Sequence, residues 1–453
     1  MLVVHRSLRI GSETQSPLSI LLDLLGPRQS FEGGLFLTDY KSATAKRPIE
    51  TLATERSLHV PLVVRRDLPT EPCVRVGDTV LRGQRLTTPT TMGSLPVHAP
   101  TSGTIKAFGR AWTPLDGFVP CVVLEPDLRD EAGAQPARWE EDSFALEVAD
   151  LGVMCPNPRE PLHTLLARAS SADVTDLIIN AVETEPYLTA DLRTLVEEPG
   201  RLIDTVAEIA DAMGVYDVHF ALPYRHRRVV KRIESEARGR FIHIMPLAHK
   251  YPQCNPNVLV KTLLDREVPP AGSPLDVRTL VLPLSVVRMT ADAILNGRPV
   301  THVVMSIAGD AVERPGTYRV AIGTTTTELA RRVGLLGAPQ QVIWGGPLSG
   351  IPLEREETTV TIDTNAVLMF LDAPANAPVP CIRCGWCVED CPVGLDPTAL
   401  IHLEAEVTCR SEDLNHLRAC VDCGLCSHVC PSQLPLAQSI WRARQRFEGG
   451  PSA

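Results

Sequence analysis

The sequence predicts a multidomain chain of mixed α/β and α+β class, and three observations predict it. Residues 57–126 break into short apolar runs divided by turn signals, residues 174–247 alternate apolar strands with helices, and residues 381–430 carry two cysteine-rich stretches of identical spacing. A length of 453 residues gives room for about two to four domains with cores of their own.

Composition narrows the class further. Hydrophobic residues make up 44% and charged residues 22%, ordinary for a soluble protein. The net charge of -10 and the lack of a long basic stripe argue against a general nucleic-acid binder, and aromatic content of 4% disfavours base-stacking platforms. No uninterrupted apolar run reaches the roughly 18 residues a membrane-spanning helix requires, so no membrane span is expected. The start, MLVVHRSLRIGSETQ, is too polar after its first residues for a signal peptide, which places the chain on the cytoplasmic side.

Residues 1–56 read as a loop-rich segment, with FEGGLFLTDYKSATAKRPIETL showing no clean period. Residues 57–126 read as a small β domain whose strands are VPLVV, CVRV, TVLRGQRL, LPVHAP, SGTIKAF and FVPCVVLEP, with turns at Gly77-Asp78 and Ser102-Gly103. The phrases VRVGDTVLRGQRL and LPVHAPTSGTIKAF resemble the barrel-sandwich hybrid of biotinyl and lipoyl carriers. The carrier lysine at the hairpin tip is missing here, since Lys106 follows the Ser102-Gly103 turn, so the domain reads as structural or docking. The polar, acidic residues 127–150 read as a linker.

Residues 151–300 read as an α/β flavoprotein-like domain. VTDLIIN, VYDVHFALP and FIHIMPL are strands; the stretches between them are helical, LTADLRTLVEEPGRLIDTVAEIADAMG as one helix or two. Ligands on such a parallel sheet bind beyond the strand carboxyl ends, which points to the loops at 180–187 and 249–257. Residues 301–372 read as strand, turn, strand, helix and resemble a soluble-ligand-binding β-grasp module, with Gly309, Asp310, Pro315 and Gly316 in its hairpin. Residues 373–380 are a Pro-rich linker.

Residues 381–453 carry the strongest signal. Cys381, Cys384, Cys387 and Cys391 form a CxxCxxCxxxCP quartet, and Cys420, Cys423, Cys426 and Cys430 repeat it. Three thiolates at two-residue gaps wrap one cubane from a single loop, and a fourth before proline is supplied to the other cubane in bacterial two-cluster ferredoxins. The expectation is two [4Fe-4S] clusters, with Cys391 serving the second and Cys430 the first. Zinc sites instead pair ligands across a long spacer. Disulfides do not suit a chain that packs eight of 13 cysteines into two metal-type motifs in a reducing compartment. Asp396-Pro397 starts a helix, two short helices fit before Cys420, and LAQSIWRARQRF makes a last helix with Leu436, Ile440 and Trp441 facing inward.

This order of parts is similar to the RnfC family, the C subunits of Rnf (Rsx) ion-translocating electron transport complexes, whose middle portion is related to the flavin subunit of respiratory complex I. The resemblance covers most of the chain. Its markers are VRVGDTVLRGQRL, LPVHAPTSGTI, LIINAVETEPYLTAD, KYPQ, REVPP, AGDAVERPGTYRV, GGPLSG and the quartets. It implies an electron-transfer subunit held peripherally on the cytoplasmic face of a membrane by membrane subunits of an Rnf-type complex, exchanging electrons with a soluble partner such as ferredoxin or NADH. It also implies FMN in the α/β domain, where the family's NxxExEP corresponds to Asn180, Glu183, Glu185 and Pro186, facing the flavin and nicotinamide rings.

One departure runs against FMN. Where the family carries a glycine-rich GxGGAGFP loop, this chain reads LGVMCPNPREPLHTLL, with Gly152 the only glycine and Cys155, Pro156, Asn157 and Pro158 in place of permissive backbone. Cys254 after KYPQ and Leu284-Ser285-Val286 mark two more loops without glycine. The leading expectation is therefore a one-electron relay, with no catalytic residue of its own. The alternatives are a complete FMN-dependent NADH dehydrogenase module and a non-catalytic iron–sulfur docking adaptor. Cys155 and Cys254 fall in the altered pocket and are candidates to meet in space. The basic helix at 225–232 reads as a solvated face, and His243 and His249 flank a strand end without metal-type partners.

Overall fold

The computed structural model describes residues 29–133, 144–355, 357–373 and 377–448. At its centre is a four-stranded parallel sheet in the order Ile242–Leu247, Asp217–Pro223, Asp176–Asn180, Thr279–Pro283. The strand Asp176–Asn180 is buried on both faces, with Leu177, Ile178 and Ile179 inaccessible to solvent, as its unbroken apolar run requires of an interior parallel strand. The helices Ala190–Glu197, Pro199–Met213, Arg227–Glu236 and Leu284–Asn296 connect or follow these strands. Because Asp176–Asn180 pairs with Asp217–Pro223 on one side and Thr279–Pro283 on the other, the strand order reverses beside it. A crevice opens at the carboxyl ends there.

The β domain is built on a long hairpin, Gly103–Thr113 with Gly117–Pro126, flanked by Leu58–Pro61 and Thr79–Val80. Two sequence expectations change here. LPVHAP makes only the bridge between His98 and Arg85, because Pro96 and Pro100 have no N–H to give a ladder. CVRV is also not a strand; the short strand Thr70–Pro72 precedes it and pairs with Thr87–Pro89.

The expected linker at 127–150 ends in a helix, Phe144–Asp150, which buries Val148 in the α/β core; residues 134–143 lie outside the described residues. A six-stranded sheet follows, in which His302–Ala308 and Gly316–Ala321 form the expected hairpin and the helix Thr326–Val333 packs behind. One of its edge strands is Glu50–Thr51, drawn from the segment that showed no period in the sequence.

The C-terminal region is helical. Asp396 caps Pro397–Leu400 by accepting from the N–H groups of Thr398 and Ala399. Helices Ser411–Ala419 and Leu436–Glu448 complete the region. In the last helix Leu436, Ile440 and Ala443 are buried at i, i+4 and i+7, whereas Trp441, expected inward, is 42% exposed because i+5 falls off that stripe. Part of the 373–380 linker, 374–376, lies outside the described residues.

Candidate functional site

The crevice beside Asp176–Asn180 is a cavity of about 770 Å³ lined by Asn180, Glu183 and Glu185 and by the loop at 251–257. The two loops singled out in the sequence therefore meet. Asn180 at the strand end donates its Nδ2 to the carbonyl of Cys254 at 2.8 Å, tying one loop to the other. Its Oδ1 accepts from the N–H of Val182 at 3.2 Å, which turns the chain into the acidic loop.

Glu183 and Glu185 are not exposed acids at a strand end. Glu183 accepts from the N–H of Asp191 at 3.1 Å, at the start of the helix Ala190–Glu197, and its carboxylate lies 3.8 Å from the Nζ of Lys41. Lys41 also donates to the carbonyl of Glu183 at 2.6 Å and is only 3% exposed. Burial raises the pKa of Glu183, and burial together with the Glu183 charge pushes Asp191 up to about 8. Burial lowers Lys41 against the pull of these carboxylates. Lys41 comes from the loop-rich N-terminal segment, where no periodicity flagged it. The stacking of Tyr40 on Tyr187, with ring centroids 5.1 Å apart, holds that segment over the acidic loop.

Glu185 faces the opposite wall. It accepts from the hydroxyl of Ser349, from the N–H of Leu348 at 3.4 Å and from the hydroxyl of Tyr251 at 3.4 Å. Burial raises its pKa, as it does that of Tyr251. The markers KYPQ and GGPLSG, which carried no role in the sequence, thus supply the groups that receive this acid.

The second cysteine loop closes the same cavity: Val421, Asp422 and Cys423 line it. Tyr251 donates to the carbonyl of Cys423 at 2.7 Å and Asn255 to that of Val421 at 3.3 Å. Gly424 sits at φ +75° with its α-carbon against the GGPLSG loop; a β-carbon there would fall 2.4 Å from the carbonyl of Leu348. Gly33, at φ +67°, packs likewise on the carbonyl of Cys391, and Gly34 donates its N–H to Asp390 at 2.9 Å.

The eight quartet cysteines divide by surroundings. Cys381 and Cys384 are exposed, while Cys420, Cys423 and Cys426 are half-buried, and desolvation raises their pKa values. Cys391 lines one small cavity together with Cys420, Cys423 and Cys426, and Cys430 packs on the hydrophobic cluster that contains Cys387. The fourth cysteine of the first quartet thus stands beside the thiols of the second, and that of the second beside one thiol of the first. Among the described residues no three His, Cys, Asp or Glu side chains are grouped to hold one metal ion. The chemistry of eight thiols nonetheless suits a pair of cubanes, in which each thiolate binds its own iron.

The flavin cradle fits less well. Residues 154–161 form a β-hairpin, Met154–Pro156 with Arg159–Pro161, whose Pro156, Asn157 and Pro158 line the cavity. Gly152 is turned away from it: a β-carbon there would lie 3.1 Å from the carbonyl of Pro96 in the β domain. Leu284, Ser285 and Val286 begin the helix Leu284–Asn296 and form no loop. Cys155 and Cys254 are both free; the Cys155 thiol donates to the carbonyl of Asn157 at 3.1 Å, and only Cys254 lines the cavity. Arg225 pairs with Asp39 and so is not part of a solvated face, while His249 is buried and His243 stacks on His219.

Comparison with known proteins agrees with this layout. A family model described as the RnfC barrel sandwich hybrid domain matches residues 29–129, and one described as the Nuo51 FMN-binding domain matches residues 160–290. The chain is 31% identical over 400 residues to the C subunit of the ion-translocating oxidoreductase complex of Rhodobacter capsulatus, covering 84% of this chain and 77% of the relative. It is 29% identical over 382 residues to the C subunit of the proton-translocating ferredoxin:NAD(+) oxidoreductase complex of Clostridium ljungdahlii, covering 82% and 84%. Against the corresponding protein of Pseudomonas aeruginosa it is 30% identical and covers 82% of this chain, but spans only 50% of that longer relative.

Proposed function

The chain belongs to the RnfC family, the C subunits of ion-translocating oxidoreductase complexes, and on that premise we propose that it is the electron-relay subunit of an Rnf-type complex. Cys381, Cys384, Cys387 and Cys430 would hold one [4Fe-4S] cluster and Cys420, Cys423, Cys426 and Cys391 the other. Such clusters supply one-electron chemistry.

The observation that carries the reading is the placement of the two quartets. The second forms a wall of the α/β cavity, and the first presents Cys381 and Cys384 at the surface. The protein's own residues set this up: Tyr251 and Asn255 hold the carbonyls of the second loop, and Gly33 and Gly424 allow backbone to close on each loop. Neighbouring membrane subunits and a soluble donor or acceptor, ferredoxin or NAD(+) as in the Clostridium relative's name, would stand at the two ends of the relay. No helix among the described residues is long and apolar enough to cross a membrane, so attachment would come from those subunits, on the cytoplasmic side.

A second reading, a complete FMN-dependent NADH dehydrogenase module, is favoured by the match to the Nuo51 FMN-binding domain and by the cavity at the switch point. Anaerobic purification with iron and sulfide assay and visible spectroscopy tests both. The relay requires two clusters that bleach with dithionite. Flavin released in stoichiometric amount together with bleaching by NADH would select the second reading, and iron absent or not reducible would leave only a docking adaptor.

A further inference from the structure

We infer that the α/β cavity of this chain discriminates against the phosphate of FMN, and that the hairpin at 154–161 is the cause. The inference rests on the family reading, because the hairpin stands where that family's glycine-rich loop would lie.

Backbone binds a phosphate by presenting several N–H groups with no side chains in the way. Pro156, Pro158 and Pro161 have no N–H to present. The side chains of Pro156, Asn157 and Pro158 occupy the rim instead, and pairing of Cys155 with Glu160 commits further backbone to the hairpin itself. Gly152 already serves the contact with Pro96.

The hairpin is also fixed in place. Arg159 binds Asp116 of the β domain at 2.7 Å and Asp363 of the six-stranded-sheet region at 2.8 Å, and Arg65 donates to the carbonyl of Arg159. Swinging it aside for a ligand would break a partly buried charge network spanning three parts of the chain.

The cavity also offers few cations. Its two lining arginines are already paired, Arg168 with Glu160 at 2.6 Å and Arg288 with Asp292 at 3.2 Å. The buried Lys41 is held by Glu183. Among the described lining residues, neither arginine is without a carboxylate partner.

The test uses the anaerobically purified chain with its clusters. FMN and riboflavin are titrated separately, following flavin fluorescence, alongside the variant Pro156→Gly/Asn157→Gly/Pro158→Gly. The expected result is that FMN binds the natural protein no more tightly than riboflavin does, including no saturable quench by either, and that the glycine variant gains about tenfold or more for FMN alone. FMN binding about tenfold tighter than riboflavin in the natural protein would show a working phosphate site and overturn the inference. A glycine variant with unchanged iron content and far-UV dichroism but no gain would acquit the hairpin and overturn it as well. Iron content and dithionite bleaching report on the relay separately, so either idea can fail alone.

Discussion

The hydroxyl of Tyr251 donates to the main-chain carbonyl of Cys423 at 2.7 Å, so a residue on the floor of the α/β crevice holds the backbone of the second cysteine loop. Tyr251 is 2% exposed, and its backbone pairs with Leu35 in both directions, at 2.8 and 2.9 Å. One residue thus binds the N-terminal segment, the α/β domain and the cysteine loop. Replacing it, Tyr251→Phe, keeps the ring and removes the hydroxyl, leaving the Cys423 carbonyl and Glu185 short of a donor. A loss of about 1–3 kcal/mol is expected, read as a lower unfolding midpoint under anaerobic conditions.

Lys41 is the only cation within 4 Å of the Glu183 carboxylate among the described residues, and both are buried. Lys41→Met leaves Glu183 and Asp191 without it, a change in the class that costs about 3–5 kcal/mol. Adding Glu183→Gln should restore part of the loss, because the glutamine brings no charge to be compensated. Denaturant unfolding of both variants checks this. If the single variant matches the natural protein, Lys41 is not what anchors the segment at 29–41.

Much of this architecture was legible. Strands at 176–180, 217–223 and 242–247 were readable because each is a short, mostly apolar segment between helical stretches. The loops at 180–187 and 249–257 followed from the parallel sheet alone. Lys41, Tyr251 and Ser349 were not readable as site residues. Their roles depend on contacts across more than 60 positions of sequence, which leave no local pattern. Trp441 was misplaced because a short helix with apolar residues at both i+4 and i+5 leaves the buried stripe undecided until its partner helix is known.

Asp191 should contribute a fall in stability as pH rises from about 4 to about 8, set against the opposite slope that the buried His98, His226 and His302, their pKa values lowered to about 3, contribute below about pH 6.5. The folded pKa of Asp191, about 8, lies above the ordinary aspartate value of 3.8, so the folded state keeps a proton that the unfolded state has released. The contribution is complete below the unfolded pKa and gone above the folded one, with a slope of up to about 1.4 kcal/mol per pH unit for one group. Asp191→Asn removes this titration, so its curve should lack the fall that Asp191 contributes between about pH 4 and about pH 8. Denaturation midpoints at pH 5, 6, 7 and 8 (about one unit apart) compare the two proteins, and an unchanged slope would place the proton elsewhere.

Cys391 and Cys430 offer the sharpest test of the interleaved arrangement. By sequence, Cys391 belongs to the first quartet, yet it lines one small cavity with Cys420, Cys423 and Cys426, while Cys430 packs on the hydrophobic cluster that contains Cys387. If sequence grouping ruled, Cys391→Ser would resemble Cys384→Ser, since both would injure the first cluster. If the spatial grouping rules, Cys391→Ser should instead resemble Cys423→Ser, and Cys430→Ser should resemble Cys384→Ser. The four variants, reduced with dithionite and compared by electron paramagnetic resonance, should therefore fall into two pairs that cross the sequence order. Pairs that follow the sequence order would mean that each loop closes on its own cluster and that the contacts of Gly33 with Cys391 and of Tyr251 with Cys423 hold two different clusters against the α/β domain.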